Sequence, residues 1–337
     1  MDKDFIFQSP FKDSLALFMK QCQSKLAQSS FDDRLRHLLD FDIYLVSCGF
    51  KDGDAIDESL ITGWISNHKH LAGGTIRLYT IAIREFLRFY SNLTGKRMYE
   101  PTLYSVDDSY APYIFTDGEM EIIYELTDNF QNGRRNSLPY IGIQLPMVIR
   151  LLDSNGFRLN ELITTKMVDV DLSNGVLKMI NTKGTRQRLV PLDAEMTGLL
   201  RAYCDAIGLE ENSPAFLFPR KSFTEPLQNY DISDRFRYIL IKAKIRGKKS
   251  SKRFAREACI HCLRHRFTMK AIKQLMDQGI QLEDTVPYLS FYLGHSSVTE
   301  TELYMKFLSE FFPDELDRFS VFAARILPDE TIWNDWL

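Results

Sequence analysis

The sequence predicts a mainly α-helical chain with one small β-sheet, arranged as a helical domain followed by a larger mixed α/β domain. Three observations lead there. The first hundred residues carry four apolar runs at helical spacing, one pair of short apolar strands flanks a polar turn, and an aperiodic stretch with two prolines divides the parts. At 337 residues the chain exceeds one ordinary domain and can bury sizeable cores.

The four helical runs are Phe11 to about Leu26, Phe31 to about Cys48, Ile56 to about His70 and Thr75 to about Asn92. Asp54 and Thr75 are expected starts, with breaks at Gly49, Gly73-Gly74 and Gly95. In the fourth run Ile76, Ile83, Phe86, Leu87 and Tyr90 share a core face, which leaves Arg77, Arg84 and Arg88 elsewhere on the helix. Periodicity fails between Lys96 and Pro112, and 101–112 is taken as the linker between a domain at 1–100 and one at 113–308. Thr116-Asp117-Gly118-Glu119 is a capping box that opens the first helix of the second domain. Val176–Ile180 and Arg188–Leu192 read as two strands joined by the turn Asn181–Thr185, with Lys183 at its tip. The tail, 309–337, carries Phe311, Phe312, Phe319, Phe322, Ile326, Trp333 and Trp336, more apolar surface than a dangling end should show.

The N-terminus lacks a targeting pattern and no run is long enough for a bilayer. Five scattered cysteines, an odd number, suit a reducing cytoplasm without disulfides. A net charge of −3 argues globally against a nucleic-acid partner. Local distribution reverses that argument, because every charged residue from Arg235 to Arg256 is Lys or Arg, including Arg246, Lys248, Lys249, Lys252 and Arg253. Each phosphate that such a stripe neutralises steepens the salt dependence of binding by roughly 0.9 log units per log unit of salt. The competing reading is a solvated basic loop.

The last third holds the chemistry: His261-Cys262-Leu263-Arg264-His265, then Gly294-His295, then Tyr304. A guanidinium fork fits phosphate oxygens two at a time, imidazole moves a proton near neutral pH, and a phenol can act as nucleophile. Arg158 supplies a second guanidinium, with Glu161 three residues on as its orienter.

In this order, Arg158, Lys183, His261-x-x-Arg264, His295 and Tyr304 resemble the active site of the tyrosine recombinases, or phage-type integrases, over roughly the C-terminal two-thirds of the chain. The wording from Pro287 to Ser297 is similar to integrases and recombinase-type transposases of mobile elements; the stretch from Arg264 to His295 is longer than in the compact chromosome-dimer-resolving members. The resemblance implies a helical core-binding (SAM-like) domain ahead of a mixed α/β catalytic domain. It implies a Tyr304 nucleophile, charge stabilisation by Arg158, Arg264 and His295, proton donation by Lys183 with Arg186 as fallback, and His261 as proton acceptor. Glu161 and His265 take supporting roles. Arg77, Arg84, Arg186, Lys248, Lys249, Lys252 and Arg253 are expected on DNA, with a solvated helix face as the alternative for the first two. The implied partners are double-stranded DNA with inverted core-site arms, a homo-tetramer on that DNA joined through the tail, and accessory proteins. No cofactor, metal or membrane is implied, and the place of action is the cytoplasm, at the nucleoid. Three alternatives stand beside it: a type IB topoisomerase-like enzyme, a catalytically silent DNA-binding regulator, and a zinc module around Cys259 and Cys262, which lacks the second ligand pair that a structural site wants.

Overall fold

The computed structural model describes residues 6–54, 56–105, 112–131, 138–180, 187–247 and 257–294. Lys183, Arg186, Lys248, Lys249, Lys252, Arg253, His295, Tyr304 and the tail 309–337 lie outside the described residues. The chain divides into two compact units, Met1–Tyr110 and Ala111–Leu337.

The first unit is α1 (Lys12–Lys25), α2 (Gln28–Ser47), α3 (Glu58–Asn67) and α4 (Gly73–Thr94). The apolar faces meet in a core that includes Phe11, Phe18, Phe41, Trp64 and Phe86. All four expected helices are present; α2 begins at Gln28, three residues ahead of Phe31, and neither Asp54 nor Thr75 is the start of its helix. Asp57, not Asp54, caps α3, its carboxylate accepting from the Leu60 amide at 2.8 Å; Asp54 instead receives the Lys51 amide at 2.7 Å in the preceding turn. Gly73-Gly74 opens α4 rather than breaking the chain. First-turn amides have no intrahelical partner in any case, so glycine costs little there, and the Tyr104 ring lies close against Gly73. Buried Asp42 pins the N-terminal segment to α2, accepting from the amides of Gln8 at 2.7 Å and Ser9 at 3.0 Å. Met98, Tyr99 and Tyr104 pack on the same core, so part of the aperiodic stretch is docked on the first unit.

The second unit runs α5 (Asp117–Asp128), α6 (Ile141–Asn155), α7 (Leu159–Ile163), β1 (Val170–Asp171), β2 (Val176–Met179), β3 (Arg188–Pro191), α8 (Ala194–Ile207), α9 (Asn229–Lys242), α10 (His261–Asp277) and α11 (Leu282–Leu293). The capping box at Thr116 and Glu119 is formed in both directions. The strands make one antiparallel sheet in the order β1-β2-β3. The first, two residues long, was too short to announce itself by alternation. Register pairs Val170 with Leu177, Leu177 with Val190 and Met179 with Arg188, so the buried sheet face carries four apolar side chains and one guanidinium.

α6 lies in the main core through Leu145, Val148, Ile149, Leu151 and Leu152. α10 is braced by buried Arg266, which donates to Asp153 of α6 at 2.5 Å and to the Phe115 carbonyl at 3.0 Å, and pairs with Asp117 of α5. Gly156 ends α6 in the left-handed region, φ 63°. A Cβ at Gly156 would lie 2.3 Å from the Phe267 ring of α10. Gly156→Ala therefore meets both backbone strain and a ring that must move. We expect a loss of about 3 kcal/mol in urea unfolding; an unchanged midpoint would contradict this packing.

Candidate active site

The site is assembled where two helices end. Gly156 closes α6 and Gly294 closes α11, each in the left-handed conformation that lets the chain turn away sharply. The last carbonyls of a helix lack intrahelical partners and carry partial negative charge. Two arginines far apart in sequence supply donors. Arg264, buried in the first turn of α10, donates to Gly156 O at 2.6 Å and to Leu293 O at 2.9 Å. Arg158, in extended backbone as the N-cap of α7, donates to Gly294 O at 3.0 Å and reaches Leu293 O at 3.5 Å. Both guanidiniums thus converge on the end of α11, immediately before His295.

Glu161 orients the second of them. Its Oε1 accepts from Arg158 at 2.9 Å and its Oε2 from Arg188 at 2.7 Å. Arg158 stands outside the helix at its N-cap, so it meets Glu161 across the first turn rather than along a shared helical face. The Glu161 and Arg188 side chains are only 3% and 6% exposed. Burial pushes the Glu161 carboxyl up, but hydrogen bonds and charge from Arg188 and Arg158 outweigh it and hold the group below 4.5.

Arg188 was read from the sequence only as the start of a strand. Its signal was a charge at a position where period-two alternation aligns it with Val190. Among the described residues its buried Nε and Nη1 find no hydrogen-bond partner, and a Cβ on Gly294 would come within 2.7 Å of Nη1. At Gly294, whose φ is 65°, any side chain would add backbone strain and press on that guanidinium. Arg158, Arg188 and Arg264 against Glu161 leave an excess of positive charge within this group, which favours an anion.

His261 opens α10, one turn from Arg264, and meets His265 edge to face at 4.7 Å between ring centroids. His261 keeps exposed surface, yet desolvation of its ring, followed by the charges of Arg264 and Arg158, lowers its pKa from 6.5. The imidazole is therefore held neutral at pH 7, the form that can accept a proton. Ahead of it, Arg246 pairs with Glu257 at 2.7 Å and donates to Ala258 O at 2.9 Å, so this member of the basic stripe is engaged within the protein. In the first unit Arg77 donates to Tyr104 O at 3.2 Å and Arg84 faces Glu100 at 3.6 Å. Among the described residues no group of three or more His, Cys, Asp or Glu is arranged to hold a metal ion, and no helix is long and apolar enough to cross a membrane.

The structure thus brings together Arg158, Glu161, His261, Arg264 and His265, and adds Arg188. Glu161→Gln removes the charge and leaves two guanidiniums facing a neutral amide. Breaking a buried pair in this way costs about 3 kcal/mol, readable as a fall in denaturation midpoint. Because the folded pKa of Glu161 is depressed, the wild type holds this stabilisation above about 4.5 and loses it as pH falls through the lower folded value. The pH dependence of unfolding below 4.5 should flatten in the variant.

Residues 119–310 match the phage integrase family. A protein of Sinorhizobium fredii named an integrase/recombinase is 27% identical over 258 residues, covering 74% of this chain and 76% of its own. Tyrosine recombinase XerD of Listeria monocytogenes is 23% identical over 264 residues, 77% of this chain and 81% of that protein. In fold, the chain is similar to XerH site-specific recombinase bound to a palindromic difH substrate, with TM-score 0.66 and 20% identity over 90% of this chain and 84% of that one. It is also similar to the Tn1549 transposon integrase in complex with transposon right end DNA, with TM-score 0.63 and 17% identity over 94% of this chain and 99% of that one.

Proposed function

The chain belongs to the phage integrase family, and from that premise we propose that it is a site-specific DNA strand-transferase that cuts and rejoins double-stranded DNA through Tyr304. The observation that carries this reading is the convergence of Arg158 and Arg264 on the main chain that leads into His295. Family relatives solved with DNA, and an excess of guanidinium charge suited to phosphate, support it.

The Tyr304 hydroxyl attacks the scissile phosphorus, its proton passing to neutral His261. The phosphate stays on Tyr304 as a 3′-phosphotyrosyl ester, and the displaced 5′ oxygen takes a proton from Lys183. One ester replaces another, so no nucleotide is consumed. A 5′ hydroxyl from a second strand reverses the step and reseals the backbone. Negative charge growing on the non-bridging oxygens is met by two donors already oriented, Arg158 through Glu161 and Arg264 through two helix ends, and by His295, assigned from its place in the motif. Each such donor is worth about 3 kcal/mol in the transition state. Arg188 acts on this site through Glu161.

Beyond one cleavage, the reading extends to protomers on inverted arms of a core site, a tetrameric synapse linked through the tail 309–337, and exchange through a Holliday junction. Likeness to a transposon integrase favours service to a mobile element. Arg77, Arg84, Arg186, Lys248, Lys249, Lys252 and Arg253 are proposed on the phosphate backbone, with residues 1–100 as the core-binding domain, 101–112 as linker and 113–308 as catalytic domain. The proposed site of action is the nucleoid.

A suicide substrate nicked beside the scissile phosphate tests the central step. Wild type should form a covalent adduct, Tyr304→Phe none, and Arg264→Ala should slow formation by roughly a hundredfold or more; an intact protein that forms no adduct on its selected site would instead be a DNA-binding regulator. The acid limb of the cleavage rate should have its midpoint below pH 6.5, since the fold opposes protonation of His261. His261→Gln should be slower and lose that limb; a limb that persists in the variant assigns the titration to another group.

A further inference from the structure

The sequence interleaves the His261-x-x-Arg264 motif with a second one, Cys259-x-x-Cys262, that the proposed strand transfer does not use. The two sulfurs are in contact at 3.7 Å. Cys259 is exposed while Cys262 is buried. The Cys259 amide donates to the Cys262 sulfur at 3.4 Å, and the Cys262 amide donates to Cys259 O at 3.0 Å. α10 begins here without any side-chain hydrogen bond from its N-cap, Ile260.

The first turn of α10 supplies what a thiolate needs. Cys259 is drawn down to about 6 by a hydrogen bond from Cys262, against burial, with help from the His261 and Cys262 amides and the Arg246 charge. Its neighbour Cys262 is pushed up by the same hydrogen bond and by burial. Buried Cys22 and Cys204 are raised by desolvation, as inert structural thiols are. An exposed low-pKa thiolate touching a second thiol has the nucleophile and the resolving group of a redox site.

We propose that Cys259 and Cys262 are a dithiol site that a hydroperoxide oxidises to a disulfide, and that this modification displaces His261 and slows DNA cleavage. The second half rests on the strand-transferase reading. In the first step the Cys259 thiolate attacks the outer peroxide oxygen; the O–O bond breaks, the sulfur becomes a sulfenic acid, and the alkoxide leaves as alcohol after taking a proton. In the second step the Cys262 thiol attacks that sulfur, the S–S bond forms, and the hydroxyl departs with the thiol proton as water. Two thiols and one hydroperoxide give one disulfide, one alcohol and one water. A dithiol reductant reverses the change by exchange. His261 lies within the closed loop of Cys259, Ile260, His261 and Cys262, so drawing the sulfurs from 3.7 Å to bonding distance reshapes the main chain that carries it.

The test treats full-length protein with one equivalent of tert-butyl hydroperoxide, followed by alkylation, peptide mapping and adduct formation on the suicide substrate. We expect a linked Cys259–Cys262 peptide, adduct formation slowed by roughly a hundredfold, the contribution of a displaced general base, and full recovery in dithiothreitol. Cys259→Ser should cleave like wild type and ignore the peroxide. Both cysteines remaining alkylatable would overturn the site; a linked peptide with unchanged cleavage would overturn the control. If reduced wild type forms no adduct at all, the strand-transferase reading fails instead. Peptide mapping and an NMR titration of the His261 imidazole then still decide, and a His261 resonance identical in the reduced and oxidised forms would overturn the proposal.

Discussion

The main-chain oxygens that close α6 and α11 hold this site together. Arg264 binds Gly156 O and Leu293 O at once, tying two helix ends to the first turn of α10. Arg158 adds Gly294 O. These carbonyls are left over by helix geometry and are partly negative, so they hold the guanidiniums in place in the free protein. Because that acceptor set is main chain, no rotamer change can withdraw it, which suits a site that must be oriented in advance. Glycine at both turns is what allows the carbonyls to be presented. At Gly294 the lack of a side chain also leaves room for Arg188.

Glu161 sets the second constraint. A carboxylate buried between two guanidiniums loses much hydration, and such pairs often add little net stability compared with apolar packing. Their worth here lies in geometry. Each oxygen takes one arginine, so the position of Arg158 is referred through Glu161 to Arg188 on β3 and from there to the sheet. The positive excess that remains is a cost in the free protein and an asset to a polyanion.

α10 joins these networks because neighbouring residues face different ways at 100° per residue. Arg264 looks to the helix ends, whereas Arg266, two positions on, locks the helix to Asp153 and the Phe115 carbonyl. A helix anchored on one side can hold His261, Arg264 and His265 still on the other. It also means that a local change in its first turn, such as the one proposed at Cys259 and Cys262, acts on His261 without unseating the rest.

Local patterning disclosed all four helices of the first unit, the Thr116 capping box and the two longer strands, since these depend on residues a few positions apart. His261, Arg264, Arg158 and Glu161 stood out in the sequence for another reason: their side-chain chemistry is unusual and their order is distinctive. The start of α4 at Gly73, the docking of Met98, Tyr99 and Tyr104, and the buried place of Arg188 were not, because each is decided by a surface contributed from elsewhere in the chain. Least legible were the acceptors of Arg158 and Arg264. A carbonyl is the same at every residue, so which one receives a guanidinium is a matter of where the helices stop and how they pack, and only the tertiary structure decides that.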